Sequence, residues 1–379
     1  MSGMNRLFLS IVSVVFYSCC QVLAAESRPV VENLPQLKCN EWKVDVGHEG
    51  GCVYRTVNGD WEVGYTRMGN EKRSLKYKLK NLVVLFHPSG SSHKMQEWWG
   101  PMIGKGKPLD PNRHVFLSVG MVGDQSPKVG SPKKLDINVI LDAAQAVVDQ
   151  LYPSSEFYVG GVSGGGNVAY LLSQRLPGRT KGVFMVSAVG IPTANESRIF
   201  QDNLNALSMG ELSSGPYSEW SEDLKKKFWK DTVSKTIDLY YTDQFFTMPE
   251  SMVELGKDKS EYKDKNSLRS EIIDSWVFWS AKTADMPWSE AQSRSIIDGT
   301  KQAYEGFSKV KLPKNFLMIH AKEDKLFLPA EYDAFASLLT QKKKNVTRVV
   351  LEDPRGHMSC CSSTFAPQLQ EALAKFIDD

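Results

Sequence analysis

The chain has 379 residues, 41% of them hydrophobic and 24% charged, with a formal net charge of +2. That length and apolar content suit a soluble globular protein of one large domain or two smaller ones, with a sizeable core. So balanced a charge gives no sign of a nucleic-acid partner, and basic runs such as Lys225 to Lys227 read as solvated faces.

At the N-terminus, Arg6 precedes an apolar run from Leu7 to Tyr17, and Val22-Leu23-Ala24-Ala25 stands before Glu26. A positive start, a short apolar segment and a small-residue end predict a secretory signal peptide over residues 1–25, cut after Ala24 or Ala25. The run is too short to span a bilayer. The mature chain is therefore expected to be secreted or periplasmic, with no stable membrane span. Cys19 and Cys20 suggest a lipoprotein, but Phe16 and Tyr17 are poor residues for a lipidation box. Removing the signal leaves Cys39, Cys52, Cys360 and Cys361, an even count that in an exported chain suggests disulfides. A Cys39–Cys52 bond would close a short loop. The adjacent Cys360 and Cys361 form a strained vicinal bridge or stay buried thiols, and both readings remain open. Asn195-Glu196-Ser197 and Asn345-Val346-Thr347 are glycosylation sequons, meaningful only in a eukaryotic host.

From Trp42 to Tyr65 apolar residues alternate, with turn signals at His48-Glu49-Gly50-Gly51 and Asn58-Gly59-Asp60. This predicts two or three antiparallel strands at a sheet edge. Asn81 to Phe86 is a continuous apolar run, the mark of a strand buried on both faces, and it ends in the polar loop from His87 to His93. His114 to Val119 is a further strand, and Leu135 to Leu151 has helical periodicity. Glu156 to Tyr170 reads as a strand that stops abruptly and turns into a helix, and Gly182 to Gly190 as the next strand. The pattern then breaks from about Ile191 to Val310. This aromatic, charged stretch holds Trp220, Trp229, Trp276, Trp279 and Trp288, which are read as packing residues, and it predicts a helical cap over the sheet. Lys257 to Lys265 is expected to be an exposed loop within it. The sheet resumes at Asn315 to Ala321, followed by a helix from Ala330 to Thr340, a last strand from Thr347 to Leu351 and a closing helix from Ala366 to Ile377. Strands alternating with helices predict an α/β chain: a mostly parallel sheet covered by helices on both faces. Its core comes in two parts, 26–190 and 311–379, around a cap at 191–310.

Inside the abrupt turn lies Gly161-Val162-Ser163-Gly164-Gly165, a G-x-S-x-G match. Such a turn, in the α/β-hydrolases it resembles, is strained and thrusts the serine hydroxyl above the sheet. Gly164-Gly165-Gly166-Asn167-Val168-Ala169 also fits a G-x-G-x-x-A dinucleotide loop. That loop needs an acidic residue ending the next strand, and Gly182 to Gly190 offers none, so no nucleotide cofactor is expected. A serine hydroxyl needs a base to take its proton, and the base needs a third group to hold its tautomer. The order serine, acid, histidine at strand ends is met by Ser163, Asp324 and His357. Glu323 and Asp353 compete for the acid, but Asp353 lies too near His357 in sequence to be a separate strand-end acid. His320 sits inside a strand and reads as core, while His48 and His114 look peripheral. Two oxyanion donors are expected: the N–H of Gly164, at the start of a helix, and that of Ser89, since Pro88 has none. No H-E-x-x-H and no paired C-x-x-C appears, so the expected chemistry is metal-free and covalent, on a small ester or thioester.

These segments resemble the homoserine O-acetyltransferase family of α/β-hydrolases over most of the core. Val63-Gly64-Tyr65-Thr66-Arg67-Met68-Gly69-Asn70 is similar to its early strand, and His87 with Gly90-Ser91-Ser92-His93 to its H-A-L-T-G-S-S-H loop. Trp98-Trp99 with Met102 to Asp110 resembles its W-W…I-G-P-G-K-x-L-D segment. Asp324 to Pro329 is similar to its D-x-L-F-P-P, and Gly356-His357 to its G-H-D. The resemblance implies that nucleophile, acid and base fall on Ser163, Asp324 and His357, with a helical cap in the inserted stretch. It also implies that a homodimer paired through that cap is open, by analogy. Three departures stand out: the loop is one residue shorter, Gly164 replaces the usual methionine, and Met358 replaces the aspartate that contacts the amine of homoserine. Together with the signal peptide they lead to an exported serine esterase. The alternatives are an acyltransferase of this type on a substrate other than homoserine, and a catalytically silent binding protein of the same fold.

Overall fold

The computed structural model describes residues 38–43, 48–56, 59–69, 82–89, 91–123, 132–283, 285–360 and 367–378. The signal-like N-terminus with Cys19 and Cys20, together with Asn70, Gly90 and Cys361, lies outside the described residues, as do the side chains of Cys39, His48, Cys52 and Cys360.

Three strands, β1 (Lys38–Lys43), β2 (His48–Thr56) and β3 (Gly59–Gly69), pair antiparallel in succession, with Cys39 directly opposite Cys52 in the register. Then come β4 (Leu82–Phe86), β5 (Val115–Val119), β6 (Phe157–Val162), β7 (Thr180–Val186), β8 (Asn315–Ala321) and β9 (Asn345–Leu351). They form one sheet in the order β1-β2-β3-β5-β4-β6-β7-β8-β9, with β3 antiparallel to β5 and every later neighbour parallel. Residues of β4, β5 and β6 are all buried, which is why Leu82 to Phe86 carries no polar position: neither face meets water.

Helices cover both faces. Beyond a short α1 (Met95–Trp99), α2 (Ile137–Leu151) starts where the Asp136 carboxylate accepts the N–H groups of Asn138 and Val139 at 2.6 and 3.2 Å. The helix after the serine turn is α3 (Gly164–Arg175). Among the described residues, the α-helices between β7 and β8 are α4 (Ala194–Ser214), α5 (Glu222–Tyr240), α6 (Asp243–Thr247), α7 (Lys265–Thr283) and α8 (Met286–Glu305). The core closes with α9 (Pro329–Gln341) and α10 (Pro367–Asp378). Tyr170 of α3 meets Phe335 of α9 edge-on at 5.1 Å, while Phe376 of α10 meets Phe184 of β7 at 6.5 Å. α8 packs on the core, where Trp288 meets Trp61 of β3 at 6.1 Å and Gln292 donates to the carbonyl of Val122 at 3.2 Å. Among the described residues no helix is long and apolar enough to cross a membrane.

Three expectations are corrected. The strand expected over Gly182 to Gly190 is Thr180–Val186, because Ser187 turns to a φ of 48° and leads the chain out of the sheet. His114 is not peripheral: it is 3% exposed, its Nε2 lying 3.4 Å from the carboxylate of Asp378 in α10. The stretch Lys257 to Lys265 is exposed but not a plain loop. Lys259–Glu261 makes a 3₁₀ turn in which Asp258 caps the N–H of Ser260 at 2.8 Å, and Lys265 already begins α7.

Candidate active site

The ends of β4, β6, β8 and β9 open on one rim, and each contributes a loop there. β6 ends at Val162, and Ser163 takes φ 51° and ψ −128°, a conformation that costs a non-glycine residue about 1–3 kcal/mol. Hydrogen bonds hold the strain in place: the Ser163 N–H donates to the carbonyl of Val186 at 2.9 Å, and the Ser163 carbonyl accepts the N–H of Gly166 at 2.8 Å. A β-carbon at Gly161 would overlap the Gly165 carbonyl, and one at Gly165 would overlap the His87 carbonyl. Only glycine lets the helix start, the strand end and the neighbouring loop approach this closely.

Ser163, Asp324 and His357 meet. The Oγ of Ser163 lies 3.2 Å from Nε2 of His357, whose Nδ1 lies 3.0 and 3.2 Å from the two carboxylate oxygens of Asp324. They are 4%, 1% and 1% exposed. The carboxylate accepts only, so Nδ1 carries the imidazole proton and Nε2 is left to accept from the serine hydroxyl. Asp324 also accepts the N–H groups of Leu326 and Phe327 at 2.9 and 3.0 Å and the hydroxyl of Tyr332 at 3.1 Å. The competing carboxylates stand elsewhere: Glu323 is exposed, and Asp353 is paired with Arg355. His320 is 1% exposed and stacks on Tyr332 at 3.8 Å, as a core histidine does.

Ser89 and Gly164 lie against each other. A β-carbon on Gly164 would overlap the Ser89 hydroxyl and stand 3.5 Å from its backbone nitrogen. The peptide carrying the Ser89 N–H is pinned from its other side, where the Pro88 carbonyl accepts Nδ1–H of His87 at 2.7 Å and the N–H of Ser91 at 3.2 Å. The tautomer follows from Met121, whose N–H donates to Nε2 of His87 at 3.2 Å, so that nitrogen must be the acceptor.

Sequence reasoning missed several residues of this rim. Tyr332 acts through the Asp324 carboxylate eight positions before it, and His87 through Met121, 34 positions on. Tyr240 of α5 presents its ring edge-to-face to His357 at 5.6 Å, and Phe327 stands 5.4 Å from the same imidazole. Glu196, in the first turn of α4, is partly buried, and burial pushes its carboxyl up to about 7 against a hydrogen bond from the Thr193 hydroxyl. Asn195, the sequon residue beside it, donates to the Lys325 carbonyl at 2.7 Å. Met358, where the resembling family has aspartate, is 4% exposed in the core.

No protein-family model matches the chain. The homoserine O-succinyltransferase of Ralstonia nicotianae is 23% identical over 347 residues, spanning 79% of this chain and 81% of that one. The homoserine O-acetyltransferase of Methanosphaera stadtmanae is 26% identical over 175 residues, 42% of this chain and 36% of that one. Among solved structures, esterase E22 superposes with a TM-score of 0.65 at 18% identity, covering 90% of this chain and all of that one (100%). The homoserine O-acetyltransferase of Bacillus anthracis superposes with a TM-score of 0.66 at 16% identity, covering 91% and 99%. The fold of the chain is thus that of the α/β-hydrolases.

Proposed function

Starting from an α/β-hydrolase enzyme similar to the homoserine O-acyltransferases and esterases, we propose that this chain is a serine esterase acting on a small carboxylic ester or thioester. The observation that carries the reading is the line of contacts from Ser163 through His357 to Asp324, at 3.2 and 3.0 Å. In this reading the Ser163 oxygen attacks the carbonyl carbon while Nε2 of His357 takes its proton. The oxyanion that forms faces the N–H groups of Gly164 and Ser89. As the tetrahedral centre collapses, the bond to the leaving alcohol or thiol breaks and His357 returns the proton to it. Water then attacks the acyl-serine, giving its proton to His357, and the acid leaves as Ser163 is reprotonated.

Hydrolysis is preferred to homoserine acylation because Met358 is apolar and buried where the family's aspartate would meet an amine. The second reading, acyl transfer to another alcohol, is favoured by the similarity to acyltransferases over 79% of the chain. One acyl donor, incubated with and without a panel of alcohols, separates the two: free acid in every tube supports the esterase, transferred ester the acyltransferase. A fluorophosphonate probe that labels the wild type no more than Ser163→Ala would leave only a silent binding protein. The signal-like residues 1–25 support a secreted or periplasmic location, and the register of Cys39 opposite Cys52 supports a disulfide across β1 and β2. Intact mass of the exported chain before and after reduction and alkylation tests both.

A further inference from the structure

Asp324 holds one edge of the His357 imidazole, but the loop that carries the ring needs restraint as well, and much of it comes from the inserted helices. Tyr240, the last residue of α5, is 1% exposed, meets the imidazole edge-to-face at 5.6 Å and 80°, and is backed by Trp276 of α7 at 5.3 Å. Thr242, just beyond, donates its hydroxyl to the Pro354 carbonyl and accepts the N–H of Phe245 at 3.2 Å. One side chain thereby ties the start of α6 to the histidine loop. Gly356, at φ +59°, completes the grip: a β-carbon there would stand 3.2 Å from Cγ2 of Thr242 and 3.4 Å from the Tyr240 carbonyl oxygen. The core adds a separate hold, the Ser187 hydroxyl donating to the His357 carbonyl at 3.3 Å.

We propose that Tyr240 and Thr242 are positioning residues for His357, so that the junction between α5 and α6 sets the alignment of the base against Ser163. The proposal rests on the reading of Ser163, His357 and Asp324 as a catalytic triad. Its physical content is that general-base catalysis falls steeply with misplacement, on the order of a hundredfold for 1 Å. A cap moved at this junction would leave the serine in place and its base askew.

The test uses the full chain with a short p-nitrophenyl ester and a fluorophosphonate probe. Thr242→Val and Tyr240→Leu are expected to lower kcat about tenfold or more and leave KM within about twofold. Labelling of Ser163 should slow by the same factor, and the acid limb of the pH profile should shift. Thr242→Ser and Tyr240→Phe, which keep the hydroxyl and the ring, should recover most of each loss. Variants that melt like the wild type yet label and turn over at its rate overturn the proposal, as does a rise in KM with kcat intact. Should Tyr240→Leu not fold, the comparison of Thr242→Val with Thr242→Ser decides alone. A wild type that labels no better than Ser163→Ala overturns the triad itself; a wild type that labels, beside variants that do so equally well, overturns only the positioning.

Discussion

Nε2 of His357 stands 3.2 Å from Oγ of Ser163 across 194 positions of sequence, with both side chains buried. Two groups that act as one proton-transfer unit lose their effect together. Ser163→Ala and His357→Ala should each lower kcat by about 10⁴–10⁶-fold, and the double variant should be little worse than either single one. Multiplying losses in the double variant, measured as kcat on one ester, would show that the two residues do not act as one unit.

The carboxylate of Asp324 collects Nδ1–H of His357, two backbone N–H groups and the Tyr332 hydroxyl. Asp324→Asn should reduce kcat by about 10³–10⁴-fold, because an amide can donate to Nδ1 and hold the wrong tautomer. Tyr332→Phe leaves the two backbone donors in place and should cost about tenfold at most. If steady-state kinetics gave Tyr332→Phe the larger loss, the division of labour around this carboxylate would be wrong.

Gly164 and Ser89 are fitted to each other, since a β-carbon on the first would overlap the hydroxyl of the second. Gly164→Ala should therefore push Ser89 and its N–H out of line and lower kcat by about 10–100-fold, with little change in KM. Ser89→Gly introduced alongside should restore part of that loss, a coupling of about 1 kcal/mol or more in a double-mutant cycle. Independent, additive effects would separate the two positions. His87→Ala should lower kcat in the same way, because it frees the Pro88 carbonyl that fixes the peptide of Ser89.

Much of the frame was legible in the sequence because strands buried on both faces leave apolar runs, unbroken over Leu82–Phe86 and over Phe316 to Ile319 within Asn315–Ala321. The serine turn was legible for a related reason: Gly161, Gly164 and Gly165 crowd where any side chain would collide. The supporting residues left no such trace. His87 works through Met121, 34 positions on, and Tyr332 through a carboxylate in another element. His114 looked peripheral because the residue that covers it, Asp378, belongs to the last helix. The run after Val186 stays uncharged as far as Gly190, yet the chain leaves the sheet there to enter the inserted helices, and hydrophobicity does not record that turn.

Glu196 gives the enzyme a pH dependence of its own. Burial raises its carboxyl from 4.5 to about 7, helped by the nearby charge of Glu331 and opposed by the Thr193 hydroxyl and by His357. Below 4.5 both folded and unfolded chains hold this proton, so the native state carries no penalty. As pH climbs toward about 7 the unfolded chain has released the proton while the folded chain keeps it. Stability therefore falls across that window and levels off above it. A shift of that size corresponds to a penalty on the order of 3 kcal/mol. Glu196→Gln keeps the shape and removes the titration, so urea unfolding should find the variant equal to the wild type near pH 4.5 and more stable above pH 7, by up to that amount. Curves for the two proteins that run parallel from acid to alkaline pH would show that this carboxyl is ionised and solvated in the folded chain.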